Sequence, residues 1–216
     1  EENQLELYYQ PKIRLRDNRC IGLEALIRWN HPGEGLIPPG DFIPQAESGS
    51  IIKPLTYWVI EQAIRQCRAW RQQGLDIEVA VNISARNLMD PDLPGRVAEL
   101  IHANDLSPQH LEMEVTESAI ITDPERAYKT LTALHDLGVK ISIDDFGTGY
   151  TSMSHLKRLP VSALKIDRCF VGDMEHSDND AVIVNTVKGL AHDLGMAVVA
   201  EGVEDNETLI TLQVID

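Results

Sequence analysis

At 216 residues, with 43% apolar side chains spread along its length, the chain has the size of one domain with a substantial core. Its formal charge of −15 excludes a general binder of DNA or RNA polymers, which needs a basic footprint, but not one small anionic ligand held through divalent cations. No apolar run reaches the ~18–20 residues of a membrane span, so direct membrane insertion of this domain is not expected. Cys20, Cys67 and Cys169 are far apart and in no metal-ligand spacing, and read as reduced core thiols of a cytoplasmic protein. The opening Glu1-Glu2-Asn3-Gln4 has neither an initiator Met nor a targeting segment, which suggests a domain excised from a longer multidomain protein. Regulatory domains, and any membrane tether, would then belong to the rest of that parent.

In chain order, residues 5–10 (LELYYQ) and 20–29 (CIGLEALIRW) read as strands. About ten residues join them, too few for a helical crossover, so the pair is expected to be antiparallel. A Pro/Gly-rich loop follows over 31–40, and Asp41 is placed to cap a short helix. Residues 54–73 form a long helix closed by Gly74, with Leu55, Val59, Ala63, Cys67 and Trp70 at helical spacing as core-packing side chains. Strands at 77–84, 111–116, 141–145, 163–167 and 196–201 then alternate with helical stretches. Among these are 124–137, preceded by Asp123 and followed by Gly138; 180–194, followed by Gly195; and a last helix from near Asp205. Single helices between strands imply a parallel sheet. Seven strands, against the eight of a closed barrel, predict an α/β, TIM-like (β/α)8 barrel with an antiparallel first strand and its final strand missing.

Strand parity sorts the side chains, because alternate residues face opposite sides. One parity holds Ile77, Val79, Val81, Ile83, Leu111, Met113, Val115, Ile141, Ile143, Leu164 and Ile166, and should face the helices. The other holds Glu24, Leu26, Arg28, Asn82, Glu112, Glu114, Thr116, Asp144, Lys165, Asp167 and Glu201. Polar residues therefore collect inside the barrel at the C-terminal strand ends, where such folds carry their sites.

The stretch 141–152, ISIDDFGTGYTS, lies at the centre of this pattern. Asp144 and Asp145 stand side by side, and two such carboxylates ~5 Å apart repel by roughly 3 kcal/mol at an effective dielectric near 20, which a cation would offset. Gly147 and Gly149 give the following loop the freedom of a lid. A solvated turn is the plain alternative for this stretch alone. Glu24, Asn82, Glu114, Asp144 and Asp145 offer oxygen donors with no His or Cys among them, which favours Mg²⁺ or Mn²⁺. The surplus of carboxylates suggests two ions ~3.5–4 Å apart, the arrangement for in-line phosphoryl displacement. Lys165 could steady transition-state charge or form a buried ion pair. Glu201 and Glu204 add a second-metal ligand or a general base. Arg28, on Glu24's face, suits a phosphate.

The motifs YYQP at 8–11, LEALIRW at 23–29, DFIPQAE at 41–47, VNIS at 81–84, EVTES at 114–118, DDFGTGYTS at 144–152, LKID at 164–167 and AEGVE at 200–204 occur in one family order. Over essentially its whole length the chain resembles the EAL-domain cyclic di-GMP phosphodiesterases, named for a Glu-Ala-Leu that here is Glu24-Ala25-Leu26. The resemblance implies hydrolysis of cyclic di-GMP to linear pGpG with Mg²⁺ or Mn²⁺. It implies Glu24, Asn82, Glu114 and Asp144 as ligands of one metal, with Asp144 and Asp145 serving a second. Lys165 and Glu201 would handle the attacking water, Glu201 as general base. Glu117 would anchor the lid, Arg28 would contact a phosphate, and Leu26 would line the substrate site. Asp167 and Glu204 are supporting or second-metal carboxylates, and a homodimer through this domain is expected.

Met153, His155 and QAESGSI depart mildly from the family pattern. The chain stops at Asp216, before the family's closing strand and its Gln-Gly-Tyr segment, so a parent longer by roughly 20–40 residues is expected. Two other readings compete. One is a catalytically silent EAL module acting as a cyclic di-GMP receptor or protein-interaction domain. The other is a different barrel enzyme, using Lys165 as a Schiff base or paired acids as a glycosidase. The intact EAL and DDFG acids favour the phosphodiesterase, and the crowd of carboxylates would raise the lysine pKa against Schiff-base chemistry.

Overall fold

The computed structural model describes residues 4–149, 153–172, 174 and 177–215. It opens with the expected hairpin: β1 (Leu5–Arg14) pairs antiparallel with β2 (Arg19–His31), both strands running closer to the turn than their sequence signals. Residues 31–40 are not all loop. β3 (Gly35–Ile37) adds to β2, its order coming from the partner strand because three residues carry no periodicity of their own. α1 (Pro39–Ser48) starts with its proline in the first turn, so Asp41 lies inside that turn and is not the cap. α2 (Ile52–Gln72) buries Leu55, Val59, Ala63, Ile64 and Cys67 along one stripe.

Five parallel strands follow β2: β4 (Glu78–Ile83), β5 (Leu111–Thr116), β6 (Lys140–Phe146), β7 (Ala163–Ile166) and β8 (Ala197–Ala200). Between them run α3 (Ala85–Leu88), α4 (Leu93–Ala103), α5 (Glu117–Thr122), α6 (Pro124–Asp136), α7 (Met153–Leu156), α8 (Arg168–Val171) and α9 (Asp178–Asp193), with α10 (Asn206–Ile215) last. Asp123 caps α6 as its position suggested, its Oδ1 accepting from the Arg126 amide at 3.2 Å. α9 begins at Asp178, earlier than 180, because Ser177 Oγ accepts from the Asp180 amide and so sets the start of the helix.

The sheet order is β1-β2-β4-β5-β6-β7-β8, with β3 beside β2. The parity assigned to the helices is the buried one: Val79, Val81, Leu111, Met113, Ile141, Ile143 and Leu164 are fully enclosed. Each such side chain contributes about 1.5–3 kcal/mol by leaving water, which holds the helical layer on the outside of the sheet. The inner face curls. β2 and β7 are four strands apart in the order, about 19 Å in a flat sheet at ~4.8 Å per strand, yet Lys165 Nζ lies 3.3 Å from Glu24 Oε2. Among the described residues the outer edges of β1 and β8 have no strand partner, so the fold is a curled, open α/β sheet of distorted-barrel form and not a closed barrel.

The expectation that all three cysteines are core thiols needs correcting. Cys67 is buried, but Cys20 and Cys169 are exposed, on a hairpin end and on α8; all three are free thiols. On α10, Thr208 and Leu212 are buried while Ile210 is exposed, so its packing stripe is narrower than its apolar content. Among the described residues no helix is long and apolar enough to cross a membrane.

Candidate metal centre

The acids meet because β6 does not end as a regular strand. In regular pleating Asp144 and Asp145 would point to opposite faces. Instead the pairing with β7 slips between Ile143 and Phe146, and Asp145 adopts φ +54°, a left-handed geometry that aspartate tolerates better than most residues. The Asp145 amide donates back to Asp144 Oδ1 at 2.9 Å. Through this bulge Asp144 and Asp145, together with Glu201 just beyond β8, each place a carboxylate oxygen within 4.8 Å of the others.

Beside them sits Lys165, from β7, with a side chain 2% exposed. Its Nζ lies 2.6 Å from Glu114 Oε2, 2.6 Å from Glu201 Oε1, 3.2 Å from Asp144 Oδ2 and 3.3 Å from Glu24 Oε2. Burial works against this charge, yet Glu114, Glu24, Asp144 and Glu201 together hold the ammonium well above the usual lysine range. No neutral amine is therefore on offer for Schiff-base chemistry. Glu114 Oε1 accepts from Lys12 Nζ at 2.7 Å, and Lys12 also reaches Glu112 at 2.9 Å. Burial nevertheless pushes the Glu114 carboxyl up to about 7, against the pull of Lys12 and Lys165. Burial and then the Asp144 charge push Asp145 up to about 6. Glu201 is raised too, by burial, with Lys165 opposing.

The donor set suits a hard divalent cation: Asp144, Asp145 and Glu201 converge as oxygen ligands, and a built-in cation, the Lys165 ammonium, already draws the neighbouring acids together. Glu24 and Asn82 are adjacent, Asn82 Nδ2 donating to Glu24 Oε1 at 2.8 Å.

Comparison with known proteins gives the family. The family description "EAL domain" matches residues 1–216. The chain belongs to the EAL-domain family. A bifunctional diguanylate cyclase/cyclic di-GMP phosphodiesterase of Pseudomonas aeruginosa, MucR, is 45% identical over 205 residues, which cover 94% of this chain and 30% of that protein. The cyclic di-GMP phosphodiesterase PdeR of Escherichia coli is 41% identical over 204 residues, covering 94% of this chain and 31% of that one. This EAL chain thus spans about a third of the length of these curated relatives. A solved structure of the PaMucR phosphodiesterase in complex with c-di-GMP superposes with a TM-score of 0.95 at 44% identity, covering 98% of this chain and 86% of that one.

Within the EAL domain, the other candidate residues fall as follows. Glu117, buried at the start of α5, accepts at Oε2 from the amides of Gly147 (3.3 Å) and Gly149 (3.2 Å). A side chain at Gly149 would collide with this carboxylate, its Cβ only 2.8 Å from Glu117 Cδ. Residues 150–152 of the expected lid lie outside the described residues. Arg28 lies farther along β2, its Cζ 5.5 Å from the Tyr8 ring centroid, with half-buried Leu26 between it and Glu24. Asp167 caps α8, accepting from the Cys169 amide at 2.7 Å, and as a neighbouring acid it adds to the upward push on the Asp145 carboxyl. Glu204 is exposed and outside the three-carboxylate group.

Lys12 is the residue that sequence reasoning missed. Pro11 reads as a turn and ended the expected strand at Gln10. In the fold Pro11 is paired to Leu23 within β1, a sheet edge where proline is tolerated. The signal that could have found Lys12 is parity, since it lies two residues beyond Gln10, which is opposite Glu24.

Proposed function

We propose that this EAL domain, residues 1–216, hydrolyses cyclic di-GMP to linear pGpG with two Mg²⁺ or Mn²⁺ ions. The observation that carries the reading is the convergence of Asp144, Asp145 and Glu201 within 4.8 Å on a curled sheet closely similar to that of a c-di-GMP-bound relative. Glu24, Asn82, Glu114 and Asp144 would hold one cation, and Asp144 and Asp145 the other, with the Glu201 carboxylate beside them. When bound, such ions supply Lewis acidity toward a phosphoryl oxygen and make water acidic enough to attack near neutral pH. The chain's own residues do the rest. Glu201 would accept the proton of the attacking water as the new P–O bond forms and the P–O3′ bond breaks, and would pass that proton on to the departing 3′ oxygen. Lys165, fixed between Glu114 and Glu201, steadies charge that grows in the transition state. Arg28 grips a phosphate and Leu26 lies along the ligand.

The same reading includes a homodimer through this domain, regulatory domains in a longer parent, a cytoplasmic location, and a TIM-like (β/α)8 barrel in which a further strand covers the open edges of β1 and β8. Incubating the domain with cyclic di-GMP and Mg²⁺ or Mn²⁺, with chelator as control, should yield pGpG. No pGpG with either ion would leave the receptor reading in its place.

Two variants probe the parts separately. Glu117→Ala should lower turnover about 10–100-fold, the usual cost of removing a group that orients the reacting ones. The exposed lid amides can turn to water, so its melting temperature should move little; proportionate loss of both would make Glu117 merely structural.

Asp145→Asn tests the electrostatics in chelator. Asp145 titrates at about 6 in the fold against 3.8 for the unfolded chain, so between those values the folded state holds the extra proton. Stability therefore falls as pH rises from 3.8 through about 6. Asparagine removes this loss and accepts the left-handed backbone. The variant should match the parent near pH 4 and exceed it by about 1 kcal/mol at pH 7, a figure reduced for solvent screening. Thermal melts across that range check it, and a pH-independent difference would refute it.

A further inference from the structure

The carboxylates of the centre lie where two strands run into loops, and those two loops do not adjoin in the sheet. Asp144 and Asp145 end β6, Glu201 follows β8, and β7 lies between them. Directly after β7 comes α8, a single turn that abuts both loops and is pinned to the core by the fully buried Val171. On the lid side, the Phe170 ring occupies the space a side chain on Gly147 would need: a Cβ there would lie 3.2 Å from Phe170 Cε2, and Gly147 has φ +100°. On the other side, a Cβ on Gly202 (φ +70°) would lie 2.4 Å from Arg168 Cβ and 3.2 Å from its Cα. The turn carrying Glu201 is therefore seated directly on the backbone of α8. Asp167, the α8 cap, accepts from the Cys169 amide at 2.7 Å and lies beside the Asp145 carboxyl, so the head of α8 also neighbours the β6 end.

We propose that α8 is the spacer that sets the separation of Asp145 from Glu201, with Phe170 and Gly202 as positioning residues for the cation centre. Phe170 stops the lid hinge from sliding over β7. Gly202, by lacking a side chain, lets the Glu201 turn descend onto α8. The kinetic half rests on the phosphodiesterase reading; the cation-binding half stands without it.

The test is Mn²⁺ binding followed by electron paramagnetic resonance, with cyclic di-GMP turnover in parallel. Phe170→Ala and Gly202→Ala should each weaken Mn²⁺ binding and lower kcat about 10–100-fold, with KM little changed. Phe170→Leu, which keeps most of the bulk, should retain both. Val184→Ala, a buried truncation on α9 away from the two loops, should lose melting temperature but keep its Mn²⁺ affinity. The proposal is overturned if Phe170→Ala and Gly202→Ala bind Mn²⁺ like the parent, if Val184→Ala loses affinity equally, or if the parent binds no Mn²⁺. A parent that binds Mn²⁺ without turning over cyclic di-GMP defeats the phosphodiesterase reading, and the binding series still decides the role of α8. Should Gly202→Ala fail to fold, the two Phe170 variants decide it.

Discussion

Lys165→Met is expected to eliminate cyclic di-GMP turnover and to cost the metal-free domain about 3–5 kcal/mol of stability. The ammonium has four carboxylates within 3.3 Å and is almost wholly removed from water. Replacing it with an apolar chain of similar length keeps the packing but strips the central countercharge from Glu114, Glu201, Asp144 and Glu24. Lys12 still neutralises Glu114 from the other side at 2.7 Å, which is why the loss should not exceed that range. Added Mg²⁺ should recover part of the lost stability, because a cation that binds only the folded form stabilises it by mass action. Denaturant melts in chelator and in Mg²⁺ measure both effects. A variant as stable as the parent in chelator would mean that the four acids tolerate one another unaided, and the countercharge role would fall.

Glu24→Ala should also reduce turnover by roughly 100–1000-fold, the scale of losing one preorganised contribution to transition-state charge stabilisation, here through the cation it would hold. Its effect on the fold runs the other way. Glu24 is one of several acids sharing a single ammonium, so its loss relieves like-charge repulsion while Lys165 keeps Glu114, Asp144 and Glu201. The metal-free melting temperature should stay level or rise, at the expense of one hydrogen bond from Asn82. Opposite stability signs for Lys165→Met and Glu24→Ala, with shared loss of activity, separate an electrostatic centre from a packed core. Near-normal turnover in Glu24→Ala would remove it from the cation site.

The parallel sheet and its buried face were legible because both depend on local periodicity. The alternation of Val79 with Val81 and of Ile141 with Ile143 states which side meets the helices whatever the rest of the chain does. The short connection made the β1–β2 hairpin antiparallel on reach alone, and Asp123 marked its helix start by chemistry available within a few residues. The same parity gathered Glu24, Glu114, Asp144, Lys165 and Glu201 on one face. Periodicity could not supply distances across the sheet. Glu24 and Lys165 meet because the sheet curls, a sum of small twists over four strands that no single strand encodes. Asp145 turns toward Glu201 through a bulge where strict alternation would have sent it away. Lys12 enters the cluster only because an edge strand accommodates Pro11, and Cys20 and Cys169 are exposed because their elements lie at the surface, a matter of packing and not of residue type. Residue identity and spacing determined which groups share a face; long-range curvature and one irregular strand end decided which of them touch.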